Sequence, residues 1–173
     1  LKEKGLSPKG TDPESVVTYT YDNGSRLSSV TDTNGAISYA YDTANRITQV
    51  SYPGARAISY EYDANSNRTK LTYPDATYIT YIYDALNRLT AIKDSLATDI
   101  ATFTYDSLSR RTQLNLANST QAIYEYDAIN RLTSINQGLS PQGTDPEVSY
   151  TYDKVGNRLT MKGLSPQGTV PEP

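Results

Sequence analysis

The sequence predicts an all-β protein of tandem antiparallel β-hairpins joined into one continuous twisted or spiralling sheet. Three observations carry that expectation. A Tyr-Asp dipeptide recurs seven times, five or six alternating apolar and polar residues precede each copy, and turn-forming residues follow it.

The repeat comes first, because self-similarity at a fixed period decides the architecture. Tyr-Asp stands at Tyr21-Asp22, Tyr41-Asp42, Tyr62-Asp63, Tyr83-Asp84, Tyr105-Asp106, Tyr126-Asp127 and Tyr152-Asp153, at steps of 20, 21, 21, 22, 21 and 26 residues. Two residues before each of these tyrosines is a second aromatic column: Tyr19, Tyr39, Tyr60, Tyr81, Phe103, Tyr124 and Tyr150. Two further back stand Val17, Ile37, Ile58, Ile79, Ala101, Ala122 and Val148. The positions between are mostly Thr and Ser, so each segment reads as a strand with one buried face. The two columns hold 14 of the 17 aromatic residues, which points to their use as the structural core of the repeat.

After each Asp, three or four residues intervene before an arginine: Arg26, Arg46, Arg68, Arg88, Arg110, Arg131 and Arg158. The intervening residues favour turns, and the Asp side chain can cap such a turn. A second short strand follows, with an apolar residue eight positions after Asp: Val30, Val50, Leu71, Ile92, Leu114, Ile135 and Met161. The leucines directly after Arg (Leu27, Leu89, Leu132) have the opposite parity to that column. Either they pack at the turn or the strand bulges. Return turns are expected at Asp32-Thr33-Asn34-Gly35, Tyr52-Pro53-Gly54 and Tyr73-Pro74-Asp75. Fourteen or so strands would make a ribbon on the order of 65 Å long, coiled by its native twist.

Composition narrows the function. The 173 residues contain no Cys and no His, which excludes disulfides, thiol or Ser-His nucleophiles and the usual zinc sites. Net charge is −3, with no basic block to recruit nucleic acid or an anionic membrane, and no apolar run long enough to span a bilayer. No catalytic, cofactor-binding or metal-binding residues are expected. Glu61 and Glu125, in one polar column, are the remaining carboxylates for glycoside hydrolysis, and Asp63–Asn67 is a distant match to a calcium loop; solvation and turn capping account for both. Tyr52, Tyr73 and Tyr78 lie outside the two columns and are the candidates for exposed contact with glycans.

The pattern x-Tyr-x-Tyr-Asp-x(3–4)-Arg-Leu-Thr-x-Val, as in residues Tyr81 to Ile92 and Tyr124 to Ile135, resembles the YD-repeat or RHS proteins of bacteria and the teneurins of animals. The resemblance covers roughly Val16 to Met161. It implies a long β-hairpin strip spiralling into a hollow shell, which in RHS and toxin-complex proteins encloses a toxin. Such shells use many more than seven repeats. The Asp-Pro-x-Gly segment tied to self-cleavage in the family is not matched, since Asp12-Pro13-Glu14 and Asp145-Pro146-Glu147 lack the following Gly.

Three near-identical elements, GLSPKGTDPE (Gly5–Glu14), GLSPQGTDPE (Gly138–Glu147) and GLSPQGTVPE (Gly163–Glu172), read as long hairpin loops. The expected organisation is an N-terminal loop element over 1–15, seven repeats over 16–162 with the 138–147 loop inserted, and a C-terminal loop element over 163–173. The chain begins with Leu1 and both ends match the loop grammar, so a piece of a longer array or a repeating subunit is expected.

The expected function is therefore structural and non-enzymatic: a β-ribbon that self-assembles end to end into an extracellular filament or bacterial surface fibre. The alternatives are a fragment of an RHS-type toxin-encapsulating shell and a carbohydrate-binding adhesin. The expected partners are further copies of the chain, or adjacent repeats of a longer one, with glycans as candidate ligands.

Overall fold

The computed structural model describes residues 16–139 and 147–163, with the backbone of 2–4. Most of the GLSP elements lie outside the described residues. Every regular element described is a strand: β1 (Lys2–Lys4), β2 (Val16–Tyr21), β3 (Leu27–Asp32), β4 (Gly35–Tyr41), β5 (Ile47–Tyr52), β6 (Arg56–Tyr62), β7 (Arg68–Thr72), β8 (Tyr78–Tyr83), β9 (Leu89–Lys93), β10 (Asp99–Tyr105), β11 (Arg111–Leu116), β12 (Thr120–Tyr126), β13 (Leu132–Leu139), β14 (Glu147–Tyr152) and β15 (Arg158–Lys162). The chain divides into two compact units, residues 1–80 and 81–173, and β8 contributes to both.

Within each unit the strand order is the chain order, and the neighbouring strands pair antiparallel. Two short departures from the sequence expectation concern boundaries. Residues Lys2–Lys4, assigned to a loop element, form β1 against Val16–Thr18. The insertion at 138–147 gives its first two residues to β13, where Gly138 and Leu139 pair with Gln121 and Thr120. In both places a neighbouring strand offers unpaired backbone groups, and pairing satisfies them.

One face of the sheet is apolar. In the first unit Tyr19 lies opposite Val30 and Val30 opposite Ile37; Tyr39, Val50 and Ile58 repeat the row, as do Tyr60, Leu71 and Ile79. In the second unit Phe103, Leu114 and Ala122 form one such row, and Tyr124, Ile135 and Val148 the next. The other face is polar and carries its own cross-strand bonds, among them Thr104 to Thr112 at 2.8 Å, Asn115 to Thr102 at 3.1 Å and the Lys70–Glu61 ion pair at 3.2 Å.

Because the sheet is a single layer, no enclosed core forms among the described residues. The buried apolar side chains are Val50, Ala101 and Ala122, at 8, 5 and 6% exposure. The aromatic columns are half-buried, apart from Tyr21, which opens the series and is exposed. Tyrosine suits this setting, since its ring covers neighbours while the hydroxyl stays within reach of a partner.

The odd parity of Leu27 is explained by a bulge. Thr20 pairs with Ser29 but Tyr21 pairs with Leu27, so Ser28 is the extra residue. The same shift recurs before Tyr41, Tyr62, Tyr105, Tyr126 and Tyr152. One extra residue returns the leucine to the apolar face, beside the Tyr of the Tyr-Asp pair.

The Tyr-Asp turns are alike. Asp22 N donates to Arg26 O at 2.9 Å and Ser25 N to Asp22 O at 3.0 Å, and each later turn repeats both bonds. The third residue after Asp is left-handed in every case: Ser25, Asn45, Ser66, Asn87, Ser109 and Asn130 at φ 60 to 69°, and Gly156 at φ 95°. On the opposite rim, the turns at Tyr73–Thr77 and Asp94–Thr98 use the same pair of bonds, with Ala76 and Ala97 left-handed at φ 66° and 63°. Gly35 meets two demands at once. Its φ is 125°, and a Cβ there would stand 2.7 Å from Pro53 Cγ.

Ala97 holds its left-handed backbone with a methyl side chain that can form no hydrogen bond to compensate it. Ala97→Gly is therefore expected to raise stability by about 0.5–1 kcal/mol and Gly156→Ala to lower it by about 1 kcal/mol, both read from urea unfolding midpoints. Ser109→Gly should gain less than Ala97→Gly, because it also removes the acceptor that Arg88 uses.

Candidate functional site

The repeated polar cluster of the protein lies along the rim of Tyr-Asp turns. Within each turn the carboxylate closes the loop. Asp84 Oδ1 accepts from Leu86 N at 2.9 Å and Arg88 N at 3.0 Å, while Oδ2 accepts from Arg88 Nε at 2.7 Å. Asp22, Asp42, Asp106 and Asp127 make the same three bonds, with Nε–Oδ2 distances of 2.6 or 2.7 Å.

The same guanidinium reaches forward to the next hairpin. Arg26, Arg46, Arg88, Arg110 and Arg131 donate through Nη1 to the carbonyls of Asp42, Asp63, Asp106, Asp127 and Asp153, at 2.9 to 3.3 Å. Four of them also bond the side chain of the next turn's left-handed residue: Asn45, Ser66, Ser109 and Asn130. Each guanidinium lies over the next repeat's tyrosine, with Cζ 4.6 to 4.8 Å from the ring centroids of Tyr41, Tyr62, Tyr105, Tyr126 and Tyr152. Stacking of this kind contributes about 0.5–1 kcal/mol at an exposed site and more when desolvated. Those five tyrosines close the link by donating their hydroxyls, at 2.6 to 2.9 Å, to the carbonyls of Leu27, Ile47, Leu89, Arg111 and Leu132.

The aligned arginines do not all occupy this position. The fourth residue after Asp63 is Asn67, and after Asp153 it is Asn157; each donates its amide to the Asp Oδ2, at 2.9 and 2.8 Å. Arg68 and Arg158 stand one residue later, opposite Tyr62 and Tyr152, in the position Leu27 holds elsewhere. Their guanidiniums lie 5.8 Å from the rings of Tyr60 and Tyr150. The hydrogen-bonded turn fixes the spacing at four residues, so an arginine displaced by one falls on a different part of the sheet. Counting four from each Asp would have found Asn67 and Asn157 in the sequence. The acceptors Asn45, Ser66, Ser109 and Asn130 had no comparable signal.

Electrostatics follow from the bonding. Donation by the Arg26, Arg46, Arg88 and Arg131 amides, with the guanidiniums beside them, holds Asp22, Asp42, Asp84 and Asp127 below the ordinary 3.8. At Asp106 desolvation is the largest influence and opposes the shift, yet the Arg110 amide and side chain outweigh it. At Asp63 and Asp153 the Asn67 and Asn157 side-chain amides lead. Burial pushes the Tyr126 phenol up.

The other sequence candidates are occupied by local bonds. Glu61 pairs with Lys70, and Glu125 accepts from Ser134. Asp63, in the calcium-like stretch, accepts from the Asn65 and Asn67 amides as a turn cap. Tyr52 and Tyr73 are exposed, whereas Tyr78 sits under Lys70, whose Nζ is 4.4 Å from its centroid. On the apolar face of the second unit, an open groove of about 560 Å³ runs between Phe103, Tyr105, Tyr124 and Tyr126, with Arg111 at its side. Its lining contains no carboxylate, so a glycosidase pair has no place there.

Two measurements probe the rim. Tyr105→Phe should cost about 1 kcal/mol through its lost bond to the Leu89 carbonyl, and in a double-mutant cycle with Arg88→Met the two effects should not add. The carboxylates bind protons more weakly folded than unfolded, so their stabilisation is complete above the unfolded pKa and is lost as pH falls through the lowered folded values. The urea midpoint should hold steady between about pH 7 and 5 and decline from about pH 4 downward. Asp84→Asn with Asp106→Asn should flatten that decline.

Known proteins share this fold. Residues 5–94, just over half of the chain, match the Teneurin YD-shell family, and residues 83–121 match the RHS Repeat. No curated protein matches the chain. Among solved structures it is similar to a crystal structure of TcdB2-TccC3-TEV, at 14% identity and a TM-score of 0.72, over 94% of this chain and 10% of that one. A crystal structure of TcdB2-TccC3 aligns at 20% identity and a TM-score of 0.70, over 90% of this chain and 10% of that one. A structure of the Photorhabdus luminescens Tc holotoxin pore with a TccC3 mutation aligns at 20% and 0.70, over 88% of this chain and 9% of the other. The chain thus spans about a tenth of the length of these structures, and at such identities the likeness is one of fold. With its hairpin repeats and the family match over 5–94, the chain belongs to the Teneurin YD-shell family.

Proposed function

We propose that this chain is a wall segment of a YD shell, a structural strip whose role is to help enclose a protein cargo such as a toxin. One observation carries the reading: five of the seven repeat arginines serve their own turn and the next one, so further hairpins can be added by the same bonds without redesign. A strip of this kind grows along one direction and covers area, as a wall must.

The two unlike faces support the same role. A single-layer sheet with one half-buried aromatic face is only partly satisfied alone, and a wall that closes on itself would shield that face. Secretion from a bacterium, or display on its surface, accords with the reading. The protein acts by enclosing rather than by catalysis, and the partners of the segment are adjacent repeats of a longer chain.

Cryo-electron microscopy of the native protein containing this segment provides the test. Hollow particles with a β-hairpin wall are the expected result. Filaments with helical symmetry would instead support end-to-end self-assembly into a fibre, and the shell reading would fail. Binding of the chain to a glycan array through Tyr52, Tyr73 or the Phe103–Tyr126 groove would favour an adhesin.

A further inference from the structure

We propose that the tips of four successive Tyr-Asp turns in the second unit form an apolar ridge that docks against the same ridge of a second copy of this chain. This goes beyond the wall reading and does not depend on it. The tip is the second residue after Asp. Its amide donates to the Asp carboxylate, at 2.9 to 3.0 Å for Leu86, Leu108, Ile129 and Val155. That bond uses the backbone alone. The side chains are left 64, 61, 65 and 84% exposed.

Nothing in the turn requires a large aliphatic group there. In the first unit Gly24, Ala44 and Asn65 make the same bond at 2.8 to 2.9 Å. The fold explains the amide and leaves the four aliphatic side chains without a local purpose, at positions where exposure costs them hydration.

Geometry selects the partner. The four turns follow one another along one rim, because β9 pairs with β10, β11 with β12 and β13 with β14. Successive tips are therefore two strand spacings apart, about 10 Å. A partner must present apolar groups at that same period, and a second copy of the ridge does so. In a two-fold arrangement three of the four tips of each ridge enter the three gaps between tips of the other. Ala85, Ser107 and Ala128, just before three of the tips, are small and uncharged and leave room for close approach.

Area sets the strength. Four such side chains present roughly 400 Å² of apolar surface, the size of the largest patch on a typical soluble monomer. Two ridges would bury about 800 Å² in total, under the roughly 1,200 Å² of a stable specific interface. The association is weak, reversible and dependent on concentration.

Sedimentation equilibrium of the full chain from about 10 μM to 1 mM spans the relevant dissociation constants. The chain is expected to move from monomer towards dimer across that range. The combined variant Leu86→Asn, Leu108→Asn, Ile129→Asn, Val155→Asn should weaken dimerisation at least about tenfold. Its circular dichroism should be unchanged, since Asn65 already fills this position in the third repeat. A control, Leu159→Lys on the last strand β15, should leave the dimer intact. A wild-type chain that stays monomeric overturns the proposal. So does a combined variant that dimerises as tightly as wild type, or a dimer abolished by Leu159→Lys alone.

Discussion

The structure depends on a guanidinium shared between two successive hairpins. Its Nε closes its own turn on the Asp carboxylate while Nη1 and the flat face of the group engage the next turn and the next tyrosine. Only a planar group with several donors on one rigid fork does both. Lysine would offer a point charge to one partner at a time. The asparagines at 67 and 157 retain the intra-turn bond and carry no charge to place over a ring.

This shared contact substitutes for a closed core. Among the described residues, the buried apolar side chains are one valine and two alanines, and every aromatic ring keeps some exposure. Stabilisation is consequently local and sequential. Within each unit, hairpins are held by cross-strand pairs within themselves and, through Arg26, Arg46, Arg88, Arg110 and Arg131, by arginine, ring and hydroxyl contacts to the next hairpin, the nearest-neighbour pattern of repeat proteins. Bulges contribute by returning the residue after Arg to the apolar face, where its carbonyl accepts the next tyrosine's hydroxyl.

The carboxylates of the Tyr-Asp turns are committed to those turns, and their pKa values are lowered, which makes them poor proton donors near neutrality. Membership of the Teneurin YD-shell family rests on the sequence match, and the similarity to Tc toxin structures rests on fold. Fold alone does not assign function, so the proposed cargo-enclosing role draws on the extensible rim chemistry joined to that membership.

Much of this was legible in the sequence. Period-two alternation put Tyr19, Tyr39 and Tyr60 on one face because side chains in a strand alternate by geometry, whatever surrounds them. The Asp turns were legible for the same local reason, since a carboxylate two and four residues from backbone amides can cap only one kind of loop. What the tertiary structure decided was everything that joins one repeat to the next: which groups Arg26 reaches in the following turn, and that Tyr41 donates its hydroxyl back to the Leu27 carbonyl. Those contacts link residues 14 to 19 positions apart through the stacking of adjacent hairpins. Their geometry arises only when the strands are side by side, so no local pattern encodes it.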